Sequence, residues 1–227
     1  MPTNAYPEKP VVSYRRTTVL MADVITYLRG LAVPAEVKRA AYIMFRNESG
    51  NGQSGINNNY VGAQADSGRW SAMWDDAIAG TVTVTENGTG RPRIFVAFRR
   101  WQDSIDFLVD RVQRRGLYVG GTTHLVLAMQ VRSDRDLARA YYKEWVTGSA
   151  AAEPSSGTIT SLLSMYGQAA VLFPADAARA APLAPAVPAA KSAGAAPAST
   201  ARPHPDNSAD DFNERSLAGG AFPIPKE

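Results

Sequence analysis

The chain has 227 residues, 45% hydrophobic and 20% charged, a composition that suits one well-buried core with a tail rather than two full domains. A formal net charge of +3, with no dense Lys/Arg run interleaved with aromatics, argues against nucleic acid and suits an anionic surface such as cell wall. The absence of cysteine excludes disulfides and thiolate metal sites, and His124 and His204 alone are too few for a hydrolytic zinc site, so no cofactor is expected.

The first stretch, residues 1–16, is rich in proline and polar residues and reads as an extension ahead of the domain. It lacks the charged start, apolar core and cleavage site of a secretory signal. No apolar run approaches the roughly 20 residues of a membrane span. An enzyme acting outside the cytoplasm would then leave by another route.

Val19, Leu20, Val24, Tyr27, Leu28 and Leu31 recur at three- and four-residue spacing, which predicts a helix over 17–30 that Gly30 ends. Pro34 at a first-turn position opens a second helix with the apolar stripe Val37, Ala40, Ala41, Met44 and Phe45. That helix delivers Glu48 at its C-terminal edge. From Ser49 to Gly68 the chain turns to glycine, asparagine and serine, the chemistry of loops that visit left-handed backbone. The β-branched run Thr81 to Thr85, then Asn87 and Gly88, then Ile94 to Ala97, predicts a hairpin with Glu86 at the start of its loop.

Trp101, Ile105, Leu108, Val109 and Val112 share one face of a helix that closes at Gly116. Residues 125–131 and 136–146 read as helical, the latter capped by Ser133 or Asp134, and 159–173 as one more helix. The domain therefore spans 17–173. Beyond Pro174 alanine, proline and serine dominate without apolar periodicity, so 174–227 is expected to be a flexible tail. Phe212 and the closing Ala221-Phe222-Pro223-Ile224-Pro225 form a candidate docking peptide for a virion protein, although a merely solvated tail is the plainer reading.

Cleaving a glycosidic bond needs a carboxylic acid to protonate the departing oxygen and an anionic group to stabilise the transition state or activate water. Glu48 follows an apolar stripe and precedes a glycine-rich loop, so its carboxyl is placed to be desolvated at a cleft wall, with its proton retained. Glu86, at the edge of the hairpin, suits the second role. On position alone an isolated Glu at the end of an element is usually a solvated charge.

The segment Val33-Pro34-Ala35-Glu36-Val37-Lys38-Arg39-Ala40-Ala41-Tyr42-Ile43-Met44-Phe45-Arg46-Asn47-Glu48-Ser49-Gly50-Asn51-Gly52 sharpens the reading. It resembles the part of the glucosaminidase family of peptidoglycan hydrolases (glycoside hydrolase family 73, the flagellar-rod and autolysin type) that ends in Glu-Ser-Gly-aromatic-Gly, with Asn51 where the family has the aromatic. Asn58-Asn59-Tyr60-Val61-Gly62-Ala63-Gln64-Ala65 is similar to the family's Asn-Asn-Leu-Phe-Gly-Ile-Lys-Ala loop. Thr85-Glu86 matches the lobe site where many members carry a second acid, and Phe98-Arg99-Arg100-Trp101-Gln102-Asp103-Ser104 resembles Phe-Arg-x-Tyr-x-Ser. Leu108 with residues 115–118 parallels a helix leading to an Arg-Tyr pair, here split by Gly116 and Leu117. After Gly120 the match fades: the family's Asp-Pro-x-Tyr has no counterpart around 137–142, and the tail is unrelated.

The resemblance implies a lysozyme-like α+β fold, mainly α, with a small β-hairpin lobe. It implies a catalytic acid at Glu48, a supporting carboxylate at Glu86, a substrate-side tyrosine at Tyr118, and the glycan strand of peptidoglycan as the partner. Tyr60 and Trp70 are groove candidates for stacking on sugar rings, with Trp74 also near; Trp101 reads as core. Asn58 and Asn59 either hold the loop or bond the substrate's acetamido groups, Gly62 in the same loop is a further substrate-binding candidate, and His124 stands alone. Endo-N-acetylglucosaminidase, muramidase, lytic transglycosylase and a non-cutting wall-binding part of a phage particle all remain open. Glu-Ser-Gly alone also occurs in lytic transglycosylases. A phage origin, in the virion or released from host cytoplasm at lysis, fits the missing signal and the Ala/Pro tail, and a secretion-system effector fits nearly as well.

Overall fold

The computed structural model describes residues 2–85, 90–123 and 129–175. The architecture is α+β, a helical body carrying two small antiparallel strand pairs. Among the described residues no helix is long and apolar enough to cross a membrane.

Strand β1 (Arg16–Thr17) precedes helix α1 (Met21–Gly30), which buries Val24 and Leu28, one turn apart on the same face. Helix α2 (Ala35–Ser49) starts directly after Pro34, whose carbonyl accepts from Val37 and Lys38, and buries nearly its whole circumference. It is the central helix, packed against α1, α3 and α5. A helix apolar on most sides belongs inside, which is why its stripe merges with Ile43 and Tyr42.

The short strand β2 (Gly55–Ile56) pairs with β1. A single 3₁₀ turn at Ala72–Trp74 leads to β3 (Ile78–Thr85) and β4 (Pro92–Phe98), which run antiparallel from Ile78 opposite Phe98 to Thr85 opposite Pro92, with one irregularity between Ile78 and Gly80. The hairpin is therefore longer at both ends than the β-branched run implies. Helix α3 (Trp101–Arg115) ends at Gly116, whose left-handed φ of 63° suits a residue without Cβ. Phe107 on α3 gathers the rings of Trp70, Trp74 and Phe98.

Helix α4 (Asp134–Tyr141) is capped by the Ser133 side chain, which accepts from the Asp136 amide. It continues as one π-helical stretch, Tyr142–Thr147, and α5 (Ser156–Leu172) closes the body. The expected helix over 125–131 lies partly outside the described residues, and its last part is not helical: Gln130 bridges Thr122, and Val131 donates to the Gly121 carbonyl. Most of the expected tail, residues 176–227, also lies outside the described residues.

The segment ahead of β1 packs onto the same body, with Tyr6 in its core, instead of merely preceding it. Tyr6 is fully buried, its hydroxyl accepts from the Trp70 amide at 2.9 Å, and the Arg69 guanidinium lies 4.5 Å from its ring centre. The Ala5 amide bonds the Ala65 carbonyl, and the backbone around Val11 runs beside Thr81. Prolines and polar residues hide this packing from periodicity, since a single buried ring carries it. Tyr6→Ala is expected to lower unfolding stability by about 3 kcal/mol, through the lost ring and the orphaned Trp70 amide. Urea denaturation measures it, and a change below about 0.5 kcal/mol, typical of a surface position, would refute the packing role.

Candidate active site

The last turn of α2 sets the site. Ser49 donates to the Phe45 carbonyl, accepts from the Gly52 amide at 2.8 Å, and accepts through its own carbonyl from Ser54, so the chain folds back at once after the helix. Gly50 and Asn51 both sit at left-handed φ, 55° and 58°, and Arg46 bonds the Asn51 side chain at 2.7 Å. Gly52, at φ 81°, lies so close to the Val19 carbonyl that a Cβ would collide with it. The Glu-Ser-Gly-Asn-Gly sequence is thus a tight turn that holds Glu48 still. Asn51, where the resembling family carries an aromatic, makes the turn itself.

Glu48 is 2% exposed. Its carboxyl oxygen Oε1 accepts a hydrogen bond from the Tyr141 hydroxyl of α4, and the Tyr141 oxygen in turn accepts from the Asn47 side-chain amide at 2.7 Å. Burial pushes the Glu48 carboxyl up to about 7, against the smaller opposing effects of the Tyr141 and Asn47 hydrogen bonds. Burial and the adjacent Glu48 push the Tyr141 hydroxyl well above its ordinary value. The phenol therefore stays protonated, and the carboxyl is poised to hold or release a proton near neutrality. That is the condition of a general acid.

The other expected site residues scatter. Glu86 lies outside the described residues. Tyr118 follows α3, half-buried against the core, where its amide donates to the Gly116 carbonyl and its carbonyl accepts from Gly121; the tyrosine that donates to Glu48 is Tyr141.

Tyr60 and Trp70 are core residues and not walls of a groove. Tyr60 packs its ring 5.5 Å from that of Phe45 with Gly55 against it, and its amide donates to Ser104. Trp70 donates its indole N–H to the Gln64 carbonyl at 2.9 Å, edge-on to Phe107 with the Arg111 guanidinium 5.5 Å from its ring. Trp74 is buried with them, while Trp101 packs at the core edge against Tyr27. His124 lies outside the described residues.

Of the two readings of the asparagines, the structure supports the structural one. Asn59 is buried, donates to the Ala63 and Val96 carbonyls and accepts from the Val61 and Ala63 amides, so all its polar groups face backbone. Asn58 reaches the Phe98 and Arg99 carbonyls from a left-handed φ of 64°. Gly62, at φ 68°, turns the loop between them and Ala63. Together they fasten the loop to β4.

Sequence reasoning missed Tyr141 and Asn47. A signal for Tyr141 existed: Leu137, Tyr141 and Trp145 recur four residues apart on a buried face, and a phenol on such a face needs a partner for its hydroxyl. Among the described residues, no three His, Asp or Glu gather where they could hold a metal ion.

The raised pKa makes stability depend on pH with a definite sign. Between about 4.5 and 7 the folded chain holds a proton at Glu48 that the unfolded chain has released, so this contribution is intact below the unfolded value and lost as pH rises through about 7. The loss amounts to about 3 kcal/mol at full ionisation. Glu48→Gln, neutral throughout, should gain that much relative to the wild type between about pH 4 and pH 8.5, read by urea denaturation at each pH. Parallel curves for the two proteins would show that Glu48 titrates normally.

Comparison with family models, with curated proteins and with solved structures found no match to this chain.

Proposed function

We propose that this chain is a peptidoglycan hydrolase that cuts the glycan strand, an endo-N-acetylglucosaminidase or muramidase, with Glu48 as the proton donor on a lysozyme-like fold. The observation that carries the reading is the Glu48 carboxyl itself, buried at the end of a helix, hydrogen-bonded to a tyrosine and shifted to about 7. A carboxylic acid kept protonated near neutral pH by burial is the group that glycoside cleavage requires.

Three further features support the reading. The Glu-Ser-Gly turn and the Asn58-Asn59 loop resemble the family's segments and are built as rigid supports around Glu48 and the hairpin. Tyr141 falls within the stretch where that family carries the tyrosine of its Asp-Pro-x-Tyr, although the motif itself is missing. The α+β build, a helical body with an antiparallel hairpin, is what a lysozyme-like reading expects.

In the proposed reaction Glu48 gives its proton to the glycosidic oxygen as the bond from that oxygen to the anomeric carbon breaks. Positive charge developing on the sugar is stabilised by a carboxylate, the role given to Glu86. Water then adds its hydroxyl to the anomeric carbon, and its proton returns to a carboxylate of the pair. A phage particle, or release at host lysis, is the proposed setting, with the tail serving as a link to another virion protein. Mass spectrometry of purified particles tests that placement.

Digestion of purified peptidoglycan, with reducing ends identified by mass spectrometry, tests the chemistry. Wild-type chain should release fragments ending in reducing N-acetylglucosamine or N-acetylmuramic acid, and Glu48→Gln should lower the rate by about a hundredfold or more. Anhydro ends would convert the reading to a lytic transglycosylase. No fragments, where lysozyme cuts the same wall, would end it in favour of a wall-binding role. The rate should fall as pH rises above about 7, because the acid form of Glu48 disappears there. Glu86→Gln should cost less than Glu48→Gln, and an unchanged rate at every pH would remove Glu86 from the mechanism.

A further inference from the structure

Asn47 differs from its neighbours on α2 in being exposed while its amide reaches inward. Its Nδ2 donates at 2.7 Å to the hydroxyl oxygen of Tyr141, a residue 1% exposed, and that hydroxyl donates to Glu48 Oε1. Asn47 and Glu48 are adjacent in sequence and point to the same phenol, one from the solvent side and one from within.

A phenol has one proton to give and accepts through its oxygen. If that oxygen had no donor of its own, a protonated Glu48 could turn the bond around, giving its acid proton to the tyrosine oxygen. The proton would then be parked inside a buried contact. A donor already seated on the oxygen competes with that arrangement.

We propose that Asn47 is a positioning residue for Glu48: its amide occupies the Tyr141 oxygen, so the single phenolic proton points at Oε1 and the transferable proton is carried on Oε2. The role in catalysis rests on the reading of Glu48 as the acid, whereas the hydrogen-bond relay stands on the geometry alone. Among the described residues the groups that act on Glu48 are Tyr141 from α4 and Asn47 from α2, with no charged side chain among them. Both hydrogen bonds oppose the effect of burial, so breaking the relay raises the Glu48 titration further.

The test follows the Glu48 carboxyl by carbon-13 NMR across pH in the full chain, in the wild type, Asn47→Ala, Tyr141→Phe and the double variant. Glu48→Gln assigns the signal. Because Asn47 is exposed, its truncation leaves the core in place. Asn47→Ala should raise the midpoint by on the order of one unit, Tyr141→Phe by at least as much, and Asn47→Ala should add much less once Tyr141 is Phe than it does in the wild type. An unmoved midpoint in Asn47→Ala, or shifts that simply add, would overturn the relay.

On soluble wall fragments, Asn47→Ala should lower kcat roughly tenfold with KM held, and move the alkaline limb of the pH profile upward with the NMR midpoint. A change confined to KM would overturn the positioning role. If no protein cuts wall while the NMR shifts appear as expected, the hydrolase reading fails and the relay survives.

Discussion

Burying a carboxyl is costly unless a donor meets it, and the bond from Tyr141 to Glu48 is where this chain meets that requirement. The bond joins the last turn of α2 to α4 across most of the domain's sequence, so the two helices cannot slide past one another without orphaning a buried polar group. The surrounding apolar surface can be filled by many side chains of similar volume. The carboxyl and the phenol fit only one alignment, and that alignment fixes where α4 sits.

The same logic governs the loop of residues 57–65. Asn59, with every polar group committed to backbone, is the clasp between this loop and β4, and Asn58 extends the clasp to the start of α3. Two further bonds, Val96 to Ala63 and Ala65 to Ile94, continue it as a partial third strand beside the hairpin. The loop is thereby fixed to the hairpin on one side and, through Tyr60 on Phe45, to α2 on the other. The hairpin sends Ile78, Ile94, Val96 and Phe98 into the main core, while Val82 and Phe95 on its other face form a small separate cluster with Ile56.

The helices and hairpin were legible because their signals are local. Apolar spacing located α1, α2, α3, α4 and α5, and the Ser133 cap and Gly116 stop marked boundaries within a residue or two. Aromatic roles were not legible. Tyr60 and Trp70 sit in polar, glycine-rich surroundings that look exposed, yet Gln64 and Ser104 supply the hydrogen bonds that let the segment turn inward. Tyr6 went unseen for the same reason, a lone ring in a proline-rich stretch whose partners lie more than sixty residues away.

The sequence by itself determined the main helices and the hairpin, and Glu48 stood out through the resemblance of its Glu-Ser-Gly segment, a run in which an apolar stripe ends in an acid followed by Ser-Gly-Asn-Gly within one turn. Only the tertiary structure decided what surrounds that acid. Whether a carboxyl titrates as an ordinary acid or near neutrality depends on how much water it loses and which donors reach it. Tyr141 is brought to Glu48 by the packing of α4 on the body, a long-range contact that local periodicity does not encode.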